Sequence, residues 1–135
     1  MKRIILISLL LTSCAHLSSS QNSENIGKDA QGGIYSVNRT GIYRSGNIAS
    51  IESRIHYNQP VQPENNGMAE YTDIVNSWRF DCSAHQYVLQ RTVFYLHGRV
   101  VQHGIDDWFD QSMQDIPEGN TALRQIEQIA CSAQK

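Results

Sequence analysis

The stretch IVNSWRFDC, residues 74–82, decides the fold, because apolar and polar side chains alternate along it with a period of two. One face carries Ile74, Asn76, Trp78, Phe80 and Cys82, and the other carries Asp73, Val75, Ser77, Arg79 and Asp81. Such alternation predicts a β-strand with one buried face. Cys82 is therefore expected to point toward the same core as Trp78 and Phe80.

Strand patterns flank this stretch on both sides. Before it, residues 34–37 form a short apolar run, and residues 49–57 alternate in the same way, with a loop predicted at 59–67 from its two prolines and glycine. After a turn at 83–85, residues 87–96 form the longest strand candidate, and Gly98 predicts a tight hairpin.

The strand candidate at 87–96 is apolar on both faces. Strict alternation places Tyr87, Leu89, Val93 and Tyr95 on one face and Val88, Phe94 and Leu96 on the other. A strand buried on both faces needs a second cover, which is either a helix or another subunit. We therefore expect a homodimer.

The C-terminal segment predicts a helix. Asn120 or Thr121 can cap a helix that runs to about Ala130, and residues 106–118 before it are expected to be an irregular connection. The apolar stripe of this helix consists of Leu123, Ile126 and Ala130. Strands followed by one helix predict an α+β domain, an antiparallel β-sheet with a C-terminal helix packed on one face.

The N-terminus has the anatomy of a bacterial lipoprotein signal. Two basic residues precede an apolar run at 4–11, which is shorter than the roughly 20 apolar residues that span a bilayer, and LTSC follows at 11–14. Resemblance to lipoprotein signals implies that residues 1–13 are removed and that Cys14 carries the lipid that anchors the chain to a membrane. Ala15 comes next, and in such signals a non-acidic residue there implies the outer membrane.

Residues 14–33 are rich in Ser, Asn, Gln and Gly, and we expect them to form a lipidated flexible tether before a single folded domain at 34–135. Loss of Lys2 and Arg3 with the signal lowers the count of Lys plus Arg from 11 to 9 against 13 Asp plus Glu, a net charge of −4. Because phosphate binding needs a positive surface, nucleic acid is not expected as a partner.

If Cys14 carries lipid, Cys82 and Cys131 remain as a pair in an oxidising compartment. A disulfide between them is the natural interpretation, and two buried free thiols are the alternative. The chain lacks a Cys-x-x-Cys motif at these cysteines, so a structural bridge is favoured over a redox-active one.

Two groups of polar residues have the composition of chemical sites. The first consists of His97, His103, Asp106, Asp107 and Asp110, which are ligand types for a divalent transition metal, although a turn and a solvated loop explain them better. The second consists of Asp81, Ser83 and His85, which are hydrolase residue types without a nucleophile elbow. We therefore expect no metal, no cofactor and no enzymatic activity.

Several elements follow one another in a recognisable order. They are YSVNRTGIYRSGN at 35–47, WRFDC at 78–82, FYLHGRVV at 94–101, Trp108, Pro117 and IEQIAC at 126–131. In this order the chain resembles the surface-adhesin protein E family over about residues 33–131. The resemblance implies an antiparallel sheet whose terminal helix is tied to it by a disulfide. It also implies a dimeric outer-membrane lipoprotein adhesin that binds host proteins such as vitronectin or laminin.

Two functions remain open. One is a surface adhesin that binds extracellular-matrix or serum proteins, and the other is a periplasm-facing outer-membrane lipoprotein that acts as an accessory binding module of the envelope. Residues 66–91 contain no lysine, so a heparin-like ligand is not favoured. The sequence does not identify the ligand-binding residues.

Overall fold

A computed structural model of the protein describes residues 22–64, 67–104 and 112–133, which form one antiparallel sheet and one α-helix. The strands are β1 (Ser23–Lys28), β2 (Ile34–Asn38), β3 (Tyr43–Ser45), β4 (Ile48–Val61), β5 (Tyr71–Asp81), β6 (Gln86–Leu96), β7 (Arg99–His103) and β8 (Gln114–Asp115), and the helix is α1 (Thr121–Ser132). The sheet order is β1-β2-β4-β5-β6-β7, with β3 paired to β4 and β8 paired to β6. The predicted α+β fold is confirmed.

Alternation along the two central strands places their apolar side chains under the helix. Ala49 pairs with Phe80 and Ile51 pairs with Trp78, and paired residues of neighbouring strands share a face. Ala49, Ile51 and Phe80 have at most 2% of their surface exposed. Trp78 packs against this core and donates from Nε1 to the hydroxyl of Ser53 at 2.8 Å.

The helix begins where the sequence predicts. The side chain of Asn120 accepts a hydrogen bond from the amide of Leu123 at 3.0 Å, which satisfies a donor of the first turn. The buried apolar face of α1 consists of Leu123, Ile126, Ile129 and Ala130. These side chains join those of β2, β4 and β5 in one core, so α1 packs on one face of the sheet.

A disulfide ties the end of the helix to the sheet. Cys82 follows β5, Cys131 lies in the last turn of α1, and their Cα atoms are 5.7 Å apart. The predicted bridge is therefore confirmed, and the alternative of two free thiols is not what the structure shows. Cys82 packs against the same core as Trp78, as the alternation predicts.

The first strand corrects the predicted tether. Residues 23–28 pair with β2, so the folded part begins before the predicted boundary at residue 34. A polar sequence suffices there because β1 is an edge strand from which only Ile26 packs against the core. Residues 14–21, including Cys14, lie outside the described residues.

A β-bulge corrects the faces predicted for residues 87–96. Trp78 pairs with Leu89 but Ser77 pairs with Arg91, so Gln90 is an extra residue in β6. The helix-side face of β6 is therefore Tyr87, Leu89, Thr92 and Phe94, and the opposite face is Val88, Val93 and Tyr95. Strict alternation is wrong beyond Gln90 because a bulge shifts the period by one residue.

Two predicted loops contain more regular structure than expected. Strand β4 continues through Pro60. The pairing of β4 with β5 is interrupted between His56 and Val61, so the amide hydrogen that proline lacks is not needed there. In the predicted connection 106–118, β8 pairs with the start of β6, and Ile116 is buried in the core. Trp108, which is part of the family resemblance, lies outside the described residues.

Candidate functional site

The face of the sheet opposite α1 is the candidate site, and we call it the open face. Its residues on the three central strands are Glu52, Arg54, His56, Asp73, Val75, Ser77, Arg79, Val88, Arg91, Val93 and Tyr95, as the pairing register places them. Polar and charged side chains predominate, in contrast to the apolar face under the helix. The alternation of β4 and β5 determines this division, because successive side chains of a strand point to opposite faces of the sheet.

A buried carboxylate organises one end of the open face. Asp73 Oδ1 accepts from Arg54 Nε at 2.9 Å and lies 2.8 Å from His56 Nδ1, while the Thr72 hydroxyl donates to Oδ2 at 2.8 Å. The side chain of Asp73 is 5% exposed, whereas those of Arg54 and His56 are about half exposed. Asp73 therefore holds the two larger side chains in fixed positions at the surface.

The charge state of Asp73 follows from these contacts. Burial alone would raise its pKa, but hydrogen bonds from His56, Thr72 and Arg54, with the positive charge of Arg54, outweigh burial and leave the pKa below its ordinary value. Asp73 is thus ionised at neutral pH. An ionised carboxylate attracts the guanidinium of Arg54, which lies within hydrogen-bond distance of it.

A second ion pair lies on the open face toward β6. Glu52 Oε1 accepts from Arg91 Nη2 at 3.2 Å and from the Ser77 hydroxyl at 3.3 Å. Both charged side chains are about half exposed, so the pair contributes at most about 1 kcal/mol to stability. Groups that are weakly held in this way can exchange their hydrogen-bond partners at little cost in free energy.

Two shallow grooves cross the open face, and both are lined by Arg54. The groove toward β2 has a volume of about 430 Å³, with Ser36, Asn38, Thr40, Glu52 and Val75 among its other walls. The groove toward the β6–β7 turn has a volume of about 500 Å³, with His56, Thr72, Asp73 and His97 among its walls.

The predicted metal-type residues do not come together in the part of the chain that is described. His97 lies in the β6–β7 turn with φ 48°, and His103 ends β7. Asp106, Asp107 and Asp110 lie outside the described residues. Among residues 22–64, 67–104 and 112–133, no group of three or more His, Cys, Asp or Glu is arranged to hold a metal ion.

The predicted hydrolase-type residues form a turn. Asp81 Oδ1 accepts from the Ser83 hydroxyl at 2.7 Å and from the amides of Ser83 and Ala84 at 2.9 and 3.1 Å, and these hydrogen bonds lower the pKa of Asp81. His85 Nδ1 lies instead 2.8 Å from Oε1 of Glu127, a buried residue of α1. The serine hydroxyl is thus bound to Asp81 and the histidine to the helix, which is not a nucleophile-and-base arrangement.

Asp29 is a half-buried residue whose contacts the sequence analysis missed. Its side chain accepts from the amides of Gln31 and Gly33 at 2.9 and 2.7 Å and from the Tyr57 hydroxyl at 2.6 Å. Burial raises the pKa of the Tyr57 hydroxyl above its ordinary value, and the hydrogen bond to Asp29 raises it further. The sequence signal is Asp four residues before Gly, which suits an Asx turn, and this turn links β1 to β2.

Within the described ranges, no helix is long and apolar enough to cross a bilayer. No protein-family model matches the chain, and no curated protein is detectably similar to it in sequence. Among solved structures, the chain is similar to the crystal structure of protein E from non-typeable Haemophilus influenzae, with a TM-score of 0.50, 14% identity, and coverage of 82% of this chain and 84% of that one. At this identity the similarity shows a protein E-like fold and nothing finer.

Proposed function

We propose that the chain is a non-catalytic outer-membrane lipoprotein that acts as a surface adhesin, binding extracellular-matrix or serum proteins such as vitronectin or laminin through its open face. The observation that carries the proposal is the division of the sheet, in which α1 packs on one face and the other presents polar side chains already held in place. The lipoprotein-type signal and the protein E-like fold support the same function.

The size of the open face suits a protein partner. Five strands about 4.8 Å apart and about eight residues long cover roughly 600 Å². A standard protein–protein interface buries about 800 Å² on each side, so this face with its bordering turns is of the required size. Preorganised Arg54 and His56 lose little conformational freedom on binding, because Asp73 already restrains them.

Lipid at Cys14 is the anchor in this proposal. Cys14→Ser should lose acyl-chain labelling and leave the membrane fraction, whereas a mutant that stays labelled and membrane-bound contradicts the anchor. The matched control is Ser13→Ala, which keeps a small residue before the cysteine and should remain labelled.

A homodimer is also part of the proposal. Val88 and Val93 on the open face are buried within a single chain, so these two side chains offer little apolar surface to a second copy. Apolar surface remains at β7, where Val100 is 50% exposed and pairs with Tyr95. Sedimentation of the Cys14→Ser chain should give twice the monomer mass, and a monomer at micromolar concentration contradicts the dimer.

The function is tested by titrating the Cys14→Ser chain over immobilised vitronectin and laminin, together with protease or antibody access to the domain on intact cells. We expect saturable binding and access from outside. Because the cations are scattered and the net charge is negative, affinity should fall less with salt than that of a polybasic contact. No saturable binding, with no access on intact cells, contradicts the adhesin and favours the periplasmic accessory module.

A further inference from the structure

An arginine lies against the disulfide. Arg44 on β3 donates from Nη1 to Cys82 Sγ at 2.9 Å and to the carbonyl oxygen of Cys131 at 2.8 Å, and from Nη2 to the carbonyl oxygen of Gly46 at 3.2 Å. Its Nε is buried and has no hydrogen-bond partner in the described part of the chain. The guanidinium is therefore fixed beside one sulfur of the bridge.

The two sulfurs differ in their contact with the cation. Cys82 is at the end of a strand and touches the cation, which favours a thiolate at that position once the bridge opens. Cys131 is in the last turn of α1, whose C-terminus carries partial negative charge. Arg44 offsets part of this charge through the carbonyl oxygen of Cys131, but its hydrogen bond to sulfur is to Cys82. The direct contact with Arg44 therefore makes Cys82 the better leaving group.

Nearby acidic residues do not reverse this difference. Asp81 adjoins Cys82 but belongs to the opposite face of the strand, where its carboxylate is bound by Ser83 and Ala84. Glu127, one turn before Cys131 on α1, is bound by His85. The backbone amide of Cys82 donates to the carbonyl oxygen of Asn47 at 2.8 Å, so its position does not depend on the bridge alone.

We propose that the bridge is a regioselective thiol-exchange site, at which an external thiolate attacks Sγ of Cys131 and Cys82 leaves as a thiolate held by Arg44. In this step the bond from the external sulfur to Cys131 forms, the Cys82–Cys131 bond breaks, and its electron pair stays on Cys82. The product is a mixed disulfide at Cys131. A second external thiolate then attacks the sulfur of the first, which releases an external disulfide and leaves Cys131 reduced.

The regiochemistry is measured directly with glutathione. The Cys14→Ser chain, which retains only the two bridge cysteines, is exposed to glutathione, quenched with an alkylating reagent and mapped by mass spectrometry. We expect glutathione on Cys131 and the alkyl group on Cys82 in a ratio of about ten to one, because the thiol with the lower pKa leaves faster. Equal adducts, adducts mainly on Cys82, or no adduct at all would each overturn the proposal.

Variants of the arginine separate its charge from its packing. Arg44→Met should reduce the ratio severalfold toward one, and Arg44→Lys should restore part of it because it keeps the positive charge. The matched control is Arg79→Met, an exposed arginine of β5 on the open face, which should leave the ratio unchanged. A ratio that does not change in Arg44→Met contradicts the role of the guanidinium.

A second readout does not depend on the bridge. When either cysteine of the bridge is replaced by serine, the pH dependence of alkylation reports the pKa of the thiol that remains. Cys82 in the Cys131→Ser chain should titrate below Cys131 in the Cys82→Ser chain, and circular dichroism should show that both remain folded. The reverse order in folded chains contradicts the proposal.

Discussion

Removing the disulfide should cost about 4 kcal/mol of the free energy of unfolding. Cys82 and Cys131 are 49 residues apart, and a closed loop of that length lowers the entropy of the unfolded chain by about 14 cal/mol/K in the chain-entropy relation. At 25 °C this corresponds to about 4 kcal/mol. The double variant Cys82→Ala, Cys131→Ala lacks this constraint without placing a hydroxyl group in the half-buried site.

The assay is urea unfolding of three samples, followed by tryptophan fluorescence and circular dichroism: the oxidised chain, the same chain reduced, and the double alanine variant. The difference between oxidised and reduced chains isolates the cross-link, and the difference between the reduced chain and the variant isolates the side chains. We expect the first difference to be about 4 kcal/mol and the second below about 1 kcal/mol. A first difference under 1 kcal/mol refutes the reasoning.

Three further changes should act through backbone space, charge and core volume. Gly33→Ala places a Cβ at 2.6 Å from side-chain atoms of Asp29 and Tyr57 and should lower the free energy of unfolding, measured in urea, by about 1–3 kcal/mol. In the control Gly41→Ala the added Cβ meets nothing closer than 3.9 Å, so stability should hardly change. The pKa of Asp73 is depressed, so its stabilisation is present above about pH 4 and is lost as pH falls through the folded-state value. Asp73→Asn should therefore cost about 1–2 kcal/mol at pH 7, and its deficit should shrink on acidification in pH-dependent unfolding; a constant deficit contradicts this account. Phe80→Ala should cost about 3–5 kcal/mol, and Val100→Ala, half exposed, should change thermal stability little.

The central strands and the helix could be predicted because their patterns are local. Period-two alternation fixes which side chains of β4 and β5 face the core, and Asn120 supplies the helix cap in the sequence itself. The pairing of Cys82 with Cys131 followed from the redox compartment and the number of cysteines. None of these predictions required knowledge of which strands are neighbours.

The remaining features depend on pairing between distant segments. Gln90 is a bulge only because β5 has one residue fewer over the same span, which the sequence of β6 alone does not show. Strand β1 has a weak apolar pattern because an edge strand contacts the core through few side chains. The contact between Arg54 and Asp73 spans 19 residues and arises from the β4–β5 register, so the organisation of the open face could not be predicted.

The use of the open face is tested most directly by comparing two surface variants of the Cys14→Ser chain for binding to immobilised vitronectin and laminin. Glu52→Ala with Arg91→Ala removes the exposed ion pair, and Arg124→Ala with Gln128→Ala changes the exposed side of α1. Both should unfold within about 1 kcal/mol of the parent, since exposed charges contribute little to stability. We predict at least about tenfold weaker binding for the open-face variant and unchanged binding for the helix variant. A tenfold loss corresponds to about 1.4 kcal/mol of binding free energy, which truncation of central interface residues commonly exceeds. Equal binding by the parent and the open-face variant, or loss of binding in the helix variant alone, would contradict the account.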